Sequence, residues 1–278
     1  MRVSFKTRPQ HTEWKPMIDF WLEADRIDLY SAGWTFDHFY PIFSDPTGPC
    51  FEAWTMLSYL AAATNRIRLG VLVTGNTHRH PALLANMAAT LDVASQGRLE
   101  IGLGAGWSEE EHAAYGIPLP PWPERFDRLA ESCEIIHSLL TRERTTFRGT
   151  HYRLTDALCE PKPIQKPRPP LVIGGKGEKR TLRIAARWAD QWNFPFGEPA
   201  ELRHKIDVLH AHCADIGRDP SQIEVSVKAE ATEEPAAFAE LAAAYREAGA
   251  QHIIVHFPAP HDPATLGAYA ESLAQAVR

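Results

Sequence analysis

The chain has 278 residues, a formal net charge of -6 and 4 cysteines. This length suits a single α/β domain over residues 1–278 with a sizeable core, and the acidic balance, with no Lys/Arg cluster interleaved with aromatics, counts against nucleic-acid binding. Cys50, Cys133, Cys159 and Cys213 stand far apart, without a C-x-x-C pair or histidines at zinc-ligand spacing, so neither a disulfide framework nor a metal centre is expected. The opening MRVSFKTRPQ lacks the apolar core of a signal peptide, and no apolar run approaches the roughly 20 residues of a membrane span, so a cytoplasmic protein away from the membrane is expected.

Short runs rich in Val, Ile and Leu alternate along the chain with longer segments of helical periodicity, as parallel strands with crossover helices do. Val3–Lys6 precedes a helical pattern over Pro16–Ile27, Ala32–Phe36 precedes Phe51–Thr64, and Ile67–Val73 precedes Pro81–Ser95. Leu99–Gly104 is followed by Pro123–Leu140, Leu171–Gly174 by Glu178–Trp188, and Asp190–Phe194 by Pro199–Ile216. Glu224–Ala229 with Glu234–Ala248, and His252–Phe257 with Pro263–Val277, complete the series. Several of these helices begin at proline, which suits a first helical turn. Strand–helix units in this number close a (β/α)8 TIM barrel more naturally than they make an open sheet. Two stretches exceed ordinary connections, Ala105–Trp122 and Thr141–Pro170. The second holds β-like pieces at Thr145–Phe147 and His151–Leu154, and both are expected as insertions at the strand-end loops near the mouth.

Function in such barrels collects at the carboxyl ends of the strands, and that filter selects a few clusters. Asp37-His38 follows the second strand among aromatics: His38 is suited to proton transfer near neutral pH, Asp37 to accepting a hydrogen bond or capping a turn. Val73-Thr74-Gly75-Asn76-Thr77 leaves the third strand as a polar exit where backbone approaches a flat ring, and His78, Arg79 and His80 beyond it are expected to face solvent. Gly102-Leu103-Gly104-Ala105-Gly106-Trp107 is a poor dinucleotide fingerprint, lacking the last glycine spacing, and reads as a turn that admits a ring or a polyol chain. Gly174-Gly175-Lys176-Gly177 before a helix offers backbone N–H groups to a phosphate, and Trp192-Asn193 places an amide at the same mouth. The Glu109-Glu110-Glu111-His112 run lacks H-E-x-x-H spacing and reads as a solvated acidic helix start.

Taken in order, Phe36-Asp37-His38-Phe39, Arg66-Ile67-Arg68-Leu69-Gly70, His80-Pro81-Ala82-Leu83-Leu84-Ala85, the segment Gly97 to Trp107, and Ala189-Asp190-Gln191-Trp192-Asn193 resemble the luciferase-like monooxygenase superfamily. Within it the chain is most similar to deazaflavin F420-dependent oxidoreductases. The resemblance implies F420 with its ring in the barrel mouth beside Asp37 and His38. Val73-Thr74 would match a third-strand bulge that carries a non-prolyl cis peptide in relatives, while Gly104, Ala105, Gly106, Gly174, Gly175, Lys176, Gly177 and Asn193 would line the cofactor. It further implies hydride transfer to or from a small organic substrate, with His38 as the catalytic acid or base. FMN with molecular oxygen is the alternative, and a non-catalytic flavin-binding barrel a third reading. A small molecule is the expected partner, and a homodimer is left open. Glucose-6-phosphate dehydrogenases of the F420 group carry a carboxylate after the glycine turn and a tryptophan shortly after the Asp-His pair. Trp107 and Ile42 stand there instead, which counts against a sugar phosphate and against carrying over that His–Glu pair.

Overall fold

The computed structural model describes residues 1–277. Its elements are β1 (Arg2–Thr7), α1 (Trp14–Arg26), β2 (Tyr30–Thr35), α2 (Ala53–Ala63), β3 (Arg68–Val71), β4 (Thr74–Gly75), α3 (Pro81–Ala94), β5 (Leu99–Gly104), α4 (Glu109–Tyr115) and α5 (Trp122–Thr141). There follow β6 (Thr145–Arg148), β7 (Arg153–Ala157), β8 (Leu171–Gly174), α6 (Thr181–Trp188), β9 (Gln191–Phe194), α7 (Pro199–Asp215), β10 (Glu224–Glu230), α8 (Pro235–Glu247), β11 (His252–Phe257) and α9 (Ala264–Ala276). The large sheet runs β3-β2-β1-β11-β10-β9-β8-β5-β4, and pairing of β3 with β5 closes it. Because β3 and β4 share one barrel position, the closed sheet is the (β/α)8 barrel the alternation predicts. Parallel pairing throughout this sheet puts every carboxyl end at one mouth.

Alternation along the strands explains the core. On β1, Phe5 meets Phe20, Trp21 and Tyr30 in edge-to-face pairs on the helix side, and Thr7 accepts a 3.0 Å hydrogen bond from Trp21 Nε1. Arg2, Ser4 and Lys6, on the opposite face, therefore point into the barrel. At the amino-terminal floor Arg2 meets Glu100 at 2.5 Å and Glu224 at 2.8 Å. Arg68 meets Glu100 at 2.6 Å and Gln165 Oε1 at 2.8 Å, completing a charged lattice.

Several boundaries differ from the sequence reading for local reasons. The Glu52 carboxylate accepts from Trp54 N and Thr55 N, so α2 starts at Ala53. Glu178–Arg180 form a turn, with Leu182 N donating to Gly177 O, and α6 begins only at Thr181. The expected third strand is interrupted at Leu72-Val73, whose peptide bond is cis. Of the two long stretches, the first holds α4 at the mouth. The second is an antiparallel β6–β7 hairpin on α5, where Thr150 N, His151 N and Tyr152 N donate to Glu131, and its Tyr152 ring meets His80 at the start of α3 at 5.2 Å. No described helix is long and apolar enough to cross a membrane.

Candidate active site

The interruption of the third strand organises the mouth. A Cβ added to Gly104 would come within 2.7 Å of Val73 Cγ2, one on Gly174 within 2.8 Å of Val73 Cγ1, and one on Gly102 within 1.9 Å of Val71 O. These glycines, on β5 and β8, thus make room for the bulge itself. Val73 becomes an apolar floor shared by three strands, and that packing is a more immediate reason for Gly104 and Gly174 than a ligand. Thr74 turns its hydroxyl away from the mouth to accept from Trp54 Nε1 at 3.0 Å. Asn76 Nδ2 is buried at the loop exit without a protein partner.

Asp37 is buried and held in a fork by Arg79 at 2.5 and 3.2 Å, while Arg79 also reaches Glu52 at 2.6 Å. His78 Nδ1 lies 3.7 Å from Asp37 Oδ2. Burial alone would raise the Asp37 carboxyl, but His78 and the Arg79 guanidinium outweigh it and hold the group below its ordinary value. Arg79 and His78 are thus structural partners of the site, contrary to the expectation that they face water; His80 does face water and caps α3. Both Asp37 oxygens accept from Arg79, which ties the loop carrying His38 to the loop after the third strand.

His38 Nδ1 sits 2.8 Å from Glu111 Oε2, and the backbone N–H of Phe39 donates to Glu111 Oε1 at 2.6 Å. The Glu111 side chain has no exposure and that of His38 has 11%. Burial works to raise the Glu111 carboxyl, yet the His38 and Phe39 contacts keep it below the usual range. The acidic run is therefore only half a solvated helix start. Ser108 caps α4, Glu109 and Glu110 face water, and Glu111 and His112 turn inward at the next helical step. A His–carboxylate pair is present after all, with its carboxylate four residues beyond Trp107, whose ring packs edge-on to His38 at 5.5 Å.

His112 is tied at both nitrogens, Nδ1 to Ser108 O at 2.5 Å and Nε2 to Thr77 Oγ1 at 2.7 Å, and burial lowers its pKa. His78, Glu111 and His112 bring donor atoms within 4.8 Å of one another, the geometry of a potential cation site. Both Glu111 oxygens and both His112 nitrogens are already engaged, so the cluster reads as a hydrogen-bonded brace behind His38.

On the opposite part of the rim, Gly175 N donates to Asn193 O at 3.1 Å and Gly175 O accepts from Trp192 Nε1 at 2.7 Å. Lys176 meets Glu201 at 2.9 Å and lies 4.3 Å from the Phe196 ring centroid, so its charge is already paired. Asn193 Nδ2 donates to Ser226 Oγ at 3.1 Å inside the barrel. Ala105 and Gly106 are partly buried at the mouth, where Gly106 has φ +81° and its carbonyl accepts from Arg125 at 3.1 Å.

The chain is thus a closed (β/α)8 barrel with an interrupted third strand and a buried His–carboxylate pair at its mouth. Residues 3–276 match the family model described as luciferase-like monooxygenase, and the chain belongs to that family. It is 34% identical over 203 residues to an F420-dependent glucose-6-phosphate dehydrogenase of Microbacterium testaceum (strain StLB037), covering 73% of this chain and 59% of that one. A second protein of that name, from Kineococcus radiotolerans (strain ATCC BAA-149 / DSM 14245 / SRS30216), is 31% identical over 241 residues, covering 85% and 70%. The fold matches an F420-dependent secondary alcohol dehydrogenase in complex with an F420-acetone adduct at TM-score 0.84 and 20% identity, over 100% of this chain and 99% of that one. It also matches the monooxygenase RslO1 from Streptomyces bottropensis at TM-score 0.80 and 19% identity, over 99% of each.

Proposed function

We propose that the protein is an F420-dependent oxidoreductase in which His38 moves a proton on a small organic substrate. The observation that carries this reading is the buried His38–Glu111 contact at the mouth. With Nδ1 held by the carboxylate, His38 has Nε2 left for a substrate oxygen or nitrogen, and the carboxylate stabilises the ring when it carries a second proton. The residues fit a flat tricyclic group: Val73 supplies an apolar face free of side-chain crowding from Gly104 and Gly174, and the unpartnered Asn76 Nδ2 supplies a buried donor at its edge. The Gly104-Ala105-Gly106 turn and the Gly174–Gly177 turn would take the polar chain, with backbone N–H groups rather than Lys176 as donors. When bound, F420 supplies a carbon centre, C5, that takes or gives a hydride.

Trp107, standing where the resemblance implies a carboxylate, makes the flank of His38 aromatic, which supports a substrate other than a sugar phosphate. The test is titration of F420 and FMN separately into the purified protein. Saturable F420 binding, followed by turnover of the reduced deazaflavin with enones, imines or nitro compounds, is expected. Tight FMN binding without F420 affinity overturns the reading in favour of a flavin monooxygenase, and F420 binding without turnover across such a panel favours a non-catalytic carrier.

A further inference from the structure

The geometry points to an oxyanion site on the β10–β11–β1–β2 side of the mouth, beside His256, where Lys6 and Trp34 would hold a carboxylate or phosphate carried by the substrate. This deepens the oxidoreductase reading by naming a substrate class, and it uses residues that the His38 site leaves idle.

Strand register brings the three together. Lys6 pairs with His256 across β1–β11 and with Trp34 across β1–β2, and His256 pairs with Glu230 across β10–β11. Each is the next-to-last residue of its strand, so the set lies at the carboxyl ends. All three side chains point into the barrel. Their neighbours Thr7 and Phe257 face the helices, through Trp21 and Phe20, while Trp34 packs with Leu72, Val172 and Ile254 inside.

Two of the three carry a buried polar atom with no partner. Trp34 Nε1 and His256 Nε2 are both unpaired, in residues 0% and 1% exposed. With Nδ1 donating to Glu230 and burial lowering its pKa to about 3, His256 presents Nε2 as an acceptor, so the donor an oxyanion would satisfy is the Trp34 N–H, whose unmade bond costs about 1–3 kcal/mol. Lys6 is 8% exposed and has no salt-bridge partner among the described residues.

The charge balance around them is lopsided. On the facing elements stand Arg8 of the β1 exit, Lys228 and Glu230 of β10, and His256 of β11. Glu230 already serves His256 Nδ1 at 2.8 Å, Lys228 at 2.9 Å and Arg8 at 3.5 Å. Lys6 is thus the surplus cation. Burial first, and then Lys228 and Arg8, lower its pKa to about 7. An arriving oxyanion would accept from Lys6 and from Trp34 Nε1, and would return Lys6 to its charged form by drawing a proton from solvent.

The experiment uses acetate and inorganic phosphate as probes of the protein without cofactor, so its outcome does not depend on turnover. Calorimetry at about pH 8 in two buffers of different ionisation enthalpy is expected to show saturable anion binding with uptake of up to one proton, as a lysine of lowered pKa requires. The Trp34 indole N–H resonance, assigned through Trp34→Phe, should shift on binding. Lys6→Met should abolish both proton uptake and saturation, while Trp34→Phe should weaken binding by about 10-fold. A preference for acetate assigns the site to a carboxylate, a preference for phosphate to a phosphoryl group. Absence of saturable binding with either anion, or unaltered binding in a folded Lys6→Met protein, overturns the inference. F420 turnover without anion binding would leave the oxidoreductase reading standing and sink this one alone.

Discussion

The His38 ring and the Glu111 carboxylate meet at 2.8 Å although 73 positions separate them in the chain. The contact joins the loop after β2 to the inner face of α4, so the orientation of one ring depends on how a separate insertion docks.

Replacing that ring tests its role directly. His38→Ala should lower kcat by about 10²–10⁴-fold, the usual contribution of a positioned acid or base, with cofactor affinity in equilibrium titrations near the parent value. Unchanged turnover would remove His38 from the proton-transfer step.

Glu111→Gln keeps the shape of the carboxylate and removes its charge. We expect kcat to drop by about 10-fold with KM little changed, because the imidazole loses the counter-charge that steadies it when it carries a second proton. A change in KM with kcat unmoved would mean that Glu111 only packs the loop.

Arg79 neutralises a carboxylate that has no exposed side-chain surface. Arg79→Met should therefore destabilise the fold by about 3–5 kcal/mol, measured by urea unfolding, since Asp37 would remain buried without its guanidinium. The double variant with Asp37→Asn should recover a good part of the loss. A single variant as stable as the parent would contradict the assignment.

Acid should unfold the site first. Asp37 and Glu111 both have folded-state pKa values below their ordinary ones. Their contribution is complete above the unfolded carboxyl value of about 4 and is lost as pH falls through the lower folded values. Thermal melts of Asp37→Asn should fall less steeply than the parent's below about pH 4. Parallel curves would show that the pairing does not carry acid sensitivity.

The Val73 floor predicts a rescue. Gly104→Ala brings a methyl within 2.7 Å of Val73 Cγ2, so it should cost about 1–3 kcal/mol in chemical unfolding. Val73→Ala in the same chain should recover most of that cost, and additive losses would argue against a shared contact.

The barrel was legible because its strands sit between two layers and read as short apolar runs between helices that start at proline or at a cap. The polar interior was harder to read: Lys6, Arg68 and Glu100 fall inside strands, where alternation marks a face but says nothing of what it meets. Asp37 and His38 stand out by their position at a strand end, and the bulge through the family resemblance. Their partners do not, since Arg79 reaches Asp37 across 42 residues and Lys176 reaches Glu201 across 25. Glu111 carried a usable signal that the acidic run obscured. Ser108 followed three residues later by Glu111 has the form of a capping box, and from such a start helical periodicity turns Glu111 and His112 to one side while Glu109 and Glu110 point away.

The polar lattice of Arg2, Arg68, Glu100 and Gln165 crosses the end of the barrel opposite the mouth, so that under the proposed function cofactor and substrate would both come through the mouth. The two would therefore share one doorway, and traffic through it would have to take turns. Under that proposal, whichever reactant settled deeper would enter first and leave last, so an excess of the outer one is expected to slow turnover by trapping the inner one.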